Sequence, residues 1–208
     1  PIVLDPKPNM TVLDLCAAPG SKTSQIAAMM ELNGKKKMEN GKLIACEENS
    51  VRVEKLRNTM RIQGANVDVR SADSTVLHHE LPEYFDMILA DVPCSAEGRM
   101  NPTDPRSYSF WSEKNIVAHA KLQRRLLRSA VAMLKPGGTL VYSTCTLAPE
   151  ENEDMIIWLL ADFPYMKPEP ITLPFPGITH KPTKSITLLP TKQYEGFFVA
   201  KLKKAEGI

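Results

Sequence analysis

Residues 10–32 read MTVLDLCAAPGSKTSQIAAMMEL. An apolar run, residues 10–16, breaks at the small-residue loop Ala17-Ala18-Pro19-Gly20 and resumes as a helical pattern from Lys22 to about Leu32. Strand, tight loop and helix in that order are the first half of a βαβ unit, the building block of a parallel sheet. The reading decides the fold only if the unit repeats.

It does repeat. Residues 42–47 (KLIACE) predict a second strand and residues 50–63 its helix, with Ser50 as the N-cap. Residues 67–73 predict a third strand, and residues 85–91 (FDMILAD) a fourth, apolar enough to be buried on both faces. A helix over 113–134 stops at Lys135-Pro136-Gly137-Gly138, and residues 139–144 form the fifth strand. PEENEDMIIWLLADF follows as a helix with Pro149 near its first turn and acids at its positive end. The tail differs. After a proline-rich segment, 164–182, SITLLP and GFFVAKLKK predict a hairpin joined around TKQYE and added to one sheet edge. The expected fold is α/β: one domain over residues 1–208, its mostly parallel, seven-stranded sheet ending in an antiparallel hairpin. The lysine-rich insert at 33–42 reads as a solvated loop. Pro1 is neither a Met start nor a signal peptide, so upstream residues are expected to be missing.

Composition excludes little. Of 208 residues, 43% are hydrophobic and 24% charged, as in an ordinary globular protein with a full core. No apolar run approaches the roughly 20 residues of a membrane span, so no membrane partner is expected. A net charge of +2 is not a polycation. Cys16, Cys46, Cys94 and Cys145 lack C-x-x-C spacing. No metal is expected, and a chain this long needs no disulfide framework. A reduced, intracellular setting is the default, cytoplasmic or, in a eukaryote, nucleolar. A monomer is expected.

In open α/β sheets ligands bind outside the carboxyl ends of the strands. Four consecutive predicted strands carry acids there: Asp14, Glu47, Asp73 and Asp91. Any one of these is ordinary turn chemistry; four along one edge are a pattern. Glu47 suits the two hydroxyls of a ribose and Asp73 an exocyclic amine. The loop at 16–22 is not G-x-G-x-x-G, so it does not favour a dinucleotide. An adenosine ligand without a demanding diphosphate site points to S-adenosylmethionine. Cys94 and Cys145 follow the fourth and fifth strands. Alone, each reads as a small buried hydrophobe; paired at equivalent strand ends, they read as thiols over one cleft.

DLCAAPGSKT, DVPCSAEGR and VYSTCTLAPEENE, in this order and spacing, resemble the RNA (cytosine-5) methyltransferases of the NOP/Sun (NSUN-type) family. The resemblance spans about residues 10–163, and EGFFVAKLKK resembles the family's closing strand. It implies a Rossmann-like class I fold, S-adenosyl-L-methionine as cofactor and RNA, ribosomal or transfer, as substrate. It also implies roles: Cys145 attacks carbon 6 of cytosine, Asp91 holds or protonates N3, and Cys94 serves release. For the cofactor it implies Cys16, Ala17, Ala18, Pro19, Gly20, Ser21 and Lys22 at the methionine portion. Glu47 goes to the ribose and Asp73 to the adenine, with Arg52 and Asp91 as further contacts. Two residues depart from the family pattern, Ser21 and Ala96, each standing where a glycine is usual; a positive φ at Ala96 implies strain. The competing readings are a methyltransferase for an exocyclic base amine and a catalytically silent cofactor- or RNA-binding assembly protein.

For the RNA side, Lys121, Arg124, Arg125 and Arg128 fall on one helix face, a stripe more common on ordinary solvated helices. The segment 99–111 mixes Arg99 and Arg106 with Tyr108, Phe110 and Trp111. It is either a stacking loop for bases or one anchored in the core. No separate RNA-binding module is visible. Weak RNA affinity is expected of these residues alone.

Overall fold

The computed structural model describes residues 1–32, 41–173, 177–180 and 182–207. Five strands run parallel: β1 (Thr11–Asp14), β2 (Lys42–Glu47), β3 (Asp68–Ser71), β4 (Phe85–Asp91) and β5 (Leu134–Thr144). The helices are α1 (Ser21–Leu32), α2 (Ser50–Gln63), α3 (Glu113–Met133) and α4 (Glu153–Asp162). The tail adds β6 (Met166–Glu169), β7 (Ile178–His180), β8 (Ser185–Leu188) and β9 (Phe197–Lys204). The sheet order is β3-β2-β1-β4-β5-β9-β8-β7, with β6 on β9. Strand β9 lies antiparallel to β5, β6 and β8. The predicted hairpin is therefore present. Strands β6 and β7, short and set in the proline-rich segment, bring the described sheet to nine where seven were expected.

Alternation along the central strands sorts the core onto two faces. Leu13, Ile44, Ile88, Leu140, Tyr142 and Phe198 join one cluster with α3 and α4. Val12, Leu43, Leu89, Val141 and Val199 join the other with Ile26, Ala27 and Met30 of α1. Side chains two apart share a face, so continuous apolar strands supply both layers. Each fully buried large aliphatic contributes roughly 1.5–3 kcal/mol. Among the described residues no helix is long and apolar enough to cross a membrane.

Three local expectations change. Asn49, not Ser50, caps α2: its side chain accepts from the Arg52 backbone N–H at 3.1 Å, and Ser50 is already helical. Helix α3 ends at Met133, and Leu134 opens β5 by pairing with Phe85. The next partner of β4 is Met87 with Thr139, so Pro136-Gly137-Gly138 bulges out of a strand that continues. Pro149–Glu151 is a separate 3-10 turn, broken from α4 at Asn152 (φ −118°, ψ −100°). Of the lysine-rich insert, residues 33–40 lie outside the described residues, and Lys42 belongs to β2.

Candidate active site

The carboxyl ends of β1, β2 and β3 open on a cavity of about 510 Å³. Its walls include Cys16, Glu47, Arg52, Asp73 and Pro93, with Leu15, Leu122 and Leu126 as apolar surface. Glu47, nearly buried, accepts from the Asn49 backbone N–H at 3.0 Å and pairs with Arg52 at 3.2 Å. Arg52 also donates to the Ala18 carbonyl at 2.8 Å, tying the loop after β1 to the end of β2. Asp73 accepts from the Thr75 backbone N–H at 2.8 Å. Ala17, Ala18, Pro19, Gly20, Ser21, Lys22 and Asp91 do not line this cavity.

The loop after β1 is shaped by packing. Gly20 has φ +107°, and an added Cβ would stand 2.9 Å from Met60 Cε and 3.0 Å from Leu56 Cδ1 on α2. A side chain there is strained by the backbone conformation and would also push aside the tips of Met60 and Leu56. Ser21 is the first residue of α1 with no positive φ, so its departure from glycine carries no strain. Asp14, 1% exposed, accepts from Thr23 Oγ1 at 2.7 Å, and its other oxygen has no partner among the described residues. Burial pushes its carboxyl up to about 6.

Lys22 turns to the second half of the cleft. Its ammonium lies 2.8 Å from Asp91 Oδ2 and 5.7 Å from the centre of the Phe197 ring. The other Asp91 oxygen accepts from Ser143 Oγ at 2.7 Å, linking the ends of β4 and β5. Beyond them the two thiols meet: Cys94 Sγ is 3.3 Å from Cys145 Sγ and 3.3 Å from the Cys145 backbone N. The thiol contact shifts the two groups in opposite directions. The hydrogen bond from Cys94 holds the Cys145 thiol down to about 7; burial opposes this, and Arg99 assists it. The same bond, with burial, pushes the Cys94 thiol far up. Burial also raises Cys16 well above the usual thiol range and Cys46 to about 12. Cys145 is therefore the cysteine whose thiol is shifted toward the thiolate, the nucleophilic form.

Sequence reasoning missed the support beneath the thiols. The Ser95 backbone N–H lies 3.2 Å from both oxygens of Glu151, and Gln123 Nε2 donates to Glu151 at 2.6 Å and to the Pro93 carbonyl at 2.9 Å. Glu151 and Gln123 are fully buried. PEENE reads as helix-start acids and Gln123 as one polar residue on an amphipathic helix, so neither gave a local signal. Ala96 does adopt the left-handed conformation, φ 59° and ψ 30°. Two residues on, Gly98 donates to the Cys145 carbonyl at 2.9 Å and accepts from the Gly196 N–H at 2.8 Å. An added Cβ at Gly98 would stand 2.4 Å from the Gly196 carbonyl oxygen, so the β8–β9 turn touches the Cys94 loop backbone to backbone.

The segment at 99–111 is not anchored in the core: Phe110 and Trp111 are 53% and 44% exposed. Trp111 Nε1 donates to Glu97 at 2.6 Å, and Glu97 lies 3.4 Å from Thr146 Oγ1, so the loop is tied to the residue after Cys145. Arg99 pairs with Glu195, and Arg106 with Asp104. The α3 stripe divides. Arg124 and Arg128 stack on Trp158, Arg128 also pairing with Asp162, whereas Arg125 donates to Thr75 beside the cavity.

A family model described as 16S rRNA methyltransferase RsmB/F matches residues 1–203. The ribosomal RNA small subunit methyltransferase F of Pectobacterium atrosepticum is 41% identical over 203 residues, covering 95% of this chain and 40% of that protein. Its namesake from Shewanella loihica is 40% identical over 218 residues, covering 100% and 43%. The chain thus spans about two fifths of the length of these curated relatives. The crystal structure of NSun6 from Pyrococcus horikoshii with SFG superposes with a TM-score of 0.84 at 33% identity, over 99% of this chain and 50% of that one. The fold is the Rossmann-like class I methyltransferase fold, mostly parallel with antiparallel C-terminal strands.

Proposed function

This chain belongs to the RsmB/F family of 16S rRNA methyltransferases, and from that premise we propose that it methylates carbon 5 of a cytosine in ribosomal RNA, using S-adenosylmethionine. The observation that carries the reading is the pair of thiols 3.3 Å apart at the ends of adjacent strands, where the contact lowers the Cys145 thiol. The cavity beside them suits the cofactor. Glu47 and Asp73 offer carboxylates to ribose hydroxyls and an exocyclic amine, and Leu15, Leu122 and Leu126 offer apolar surface to a base. Bound there, S-adenosylmethionine would supply an electrophilic methyl group on a sulfonium.

The chain's residues supply the rest. Carbon 5 of cytosine is a poor nucleophile until a group adds at carbon 6, and Cys145 as thiolate makes that bond. Asp91, held by Lys22 and Ser143, keeps further lone pairs on its oxygens for a donor on the ring. After methyl transfer a water takes the carbon 5 proton, the electron pair of that C–H bond re-forms the ring double bond, and the carbon 6–sulfur bond breaks to expel Cys145 as thiolate. The Cys94 hydrogen bond that lowers the Cys145 thiol also stabilises it as that leaving group, which gives Cys94 its part in release. The exposed aromatics at 108–111 and the turn at 190–195 flank this site and suit unstacked bases.

The test is a denaturing gel of wild type, Cys145→Ala and Cys94→Ala, each incubated with ribosomal RNA and labelled S-adenosylmethionine. An RNase-sensitive shifted band from Cys94→Ala, absent in Cys145→Ala, supports the reading. Normal methylation by Cys145→Ala sinks it.

A further inference from the structure

We propose that Gln123 and Glu151 are positioning residues for Cys94, fixing the peptide groups on both sides of it so that its thiol meets Cys145. The inference rests on the reading of the thiol pair given above. Cys94 has a carbonyl before it and an N–H after it. The Pro93 carbonyl accepts from Gln123 Nε2 at 2.9 Å, and the Ser95 N–H is shared between the two Glu151 oxygens at 3.2 Å each. Gln123 and Glu151 are joined at 2.6 Å, and Tyr142, also fully buried, donates to the Glu151 carbonyl at 2.7 Å. Two elements thereby hold the two adjoining peptide groups, α3 through Gln123 and the turn at Pro149–Glu151 through Glu151, while β5 braces both supports through Tyr142.

The chemistry of the pair argues for position rather than bulk. A buried carboxylate with no cation bonded to it among the described residues pays desolvation, and burial does raise the Glu151 carboxyl. An apolar pair of the same volume would fill the space without that cost, but would leave the Pro93 carbonyl and the Ser95 N–H without these partners. A carboxylate accepts from both N–H donors at once, and the two hydrogens on Gln123 Nε2 reach both Glu151 and Pro93. With the flanking peptides held, the Cys94 side chain has one place for its sulfur, against the Cys145 backbone N and Sγ.

The experiment reads the Cys145 thiol directly, without RNA or cofactor. Iodoacetamide alkylation of Cys145 is followed by peptide mass spectrometry across pH in wild type, Cys94→Ala, Glu151→Gln and Gln123→Met. Cys16 and Cys46, both raised by burial, alkylate later. Glu151→Gln replaces an acceptor oxygen with an amide that competes as donor, and Gln123→Met keeps the volume while removing both donated bonds. Each is expected to move the alkylation midpoint up as Cys94→Ala does, by about one pH unit, so that alkylation near pH 6 slows about tenfold and recovers near pH 9. Each is also expected to accumulate covalent RNA adduct. A folded Glu151→Gln or Gln123→Met protein with the wild-type midpoint and no accumulated adduct overturns the inference. If Glu151→Gln does not fold, Gln123→Met decides alone. A Cys94→Ala protein that itself keeps the wild-type midpoint overturns instead the reading of the thiol pair.

Discussion

The two halves of the cleft are built on different principles. On the β1–β2–β3 side, Glu47 and Asp73 stand at strand ends around an open cavity, held by residues within five positions of them in the chain. On the β4–β5 side, the residues around Cys94 and Cys145 are held by contacts that reach far along the chain, Pro93 to Gln123, Ser95 to Glu151 and Gly98 to Gly196. The first half offers charge to a ligand. The second holds two sulfurs in one geometry and lowers one thiol while raising the other.

The largest effect expected from this division concerns Asp14, the buried acid between the halves. Its folded-state value of about 6, against an ordinary 3.8, is worth about 3 kcal/mol. Because the folded state holds the proton more tightly than the unfolded chain, that stability is complete below about pH 3.8 and lost as pH rises through about 6. Asp14→Asn is expected to gain about 3 kcal/mol on wild type between roughly pH 4 and pH 8, read from urea midpoints. Parallel curves for the two proteins would show that Asp14 is not buried as described.

Glu47→Gln is expected to weaken S-adenosylmethionine binding roughly 10–100-fold by calorimetry, the loss of hydrogen bonds to a charged group. Alkylation of Cys145 should be unchanged; a change there would merge the two halves. Conversely, capture of a 5-fluorocytosine RNA by wild type should fall about tenfold per pH unit below a midpoint near 7. Above that midpoint the thiolate is formed and the rate levels; a flat profile would remove the thiolate from the attack.

The smallest effect sits beside Cys94. Ala96→Gly relieves a left-handed alanine and should stabilise the protein by about 1 kcal/mol. The alkylation midpoint should stay, since the Pro93 and Ser95 anchors are untouched. A moved midpoint would mean that strain at Ala96 helps to aim Cys94.

By itself the sequence determined the alternation of strand and helix, the acids at the strand ends and the two cysteines, because apolar periodicity and turn chemistry are local. The same locality explains its misses. Asn49 and Ser50 are both good caps, and only the backbone at Asn49 chooses between them. Pro136-Gly137-Gly138 reads as a stop until pairing with β4 makes it a bulge. Whether Phe110 and Trp111 were core or surface depended on what lay over them. Only the tertiary structure decided that Glu151 points inward, that Gln123 meets it from α3 and that two thiols 51 residues apart lie 3.3 Å from each other. Such contacts join distant residues through a common buried space, and no spacing along the chain records them.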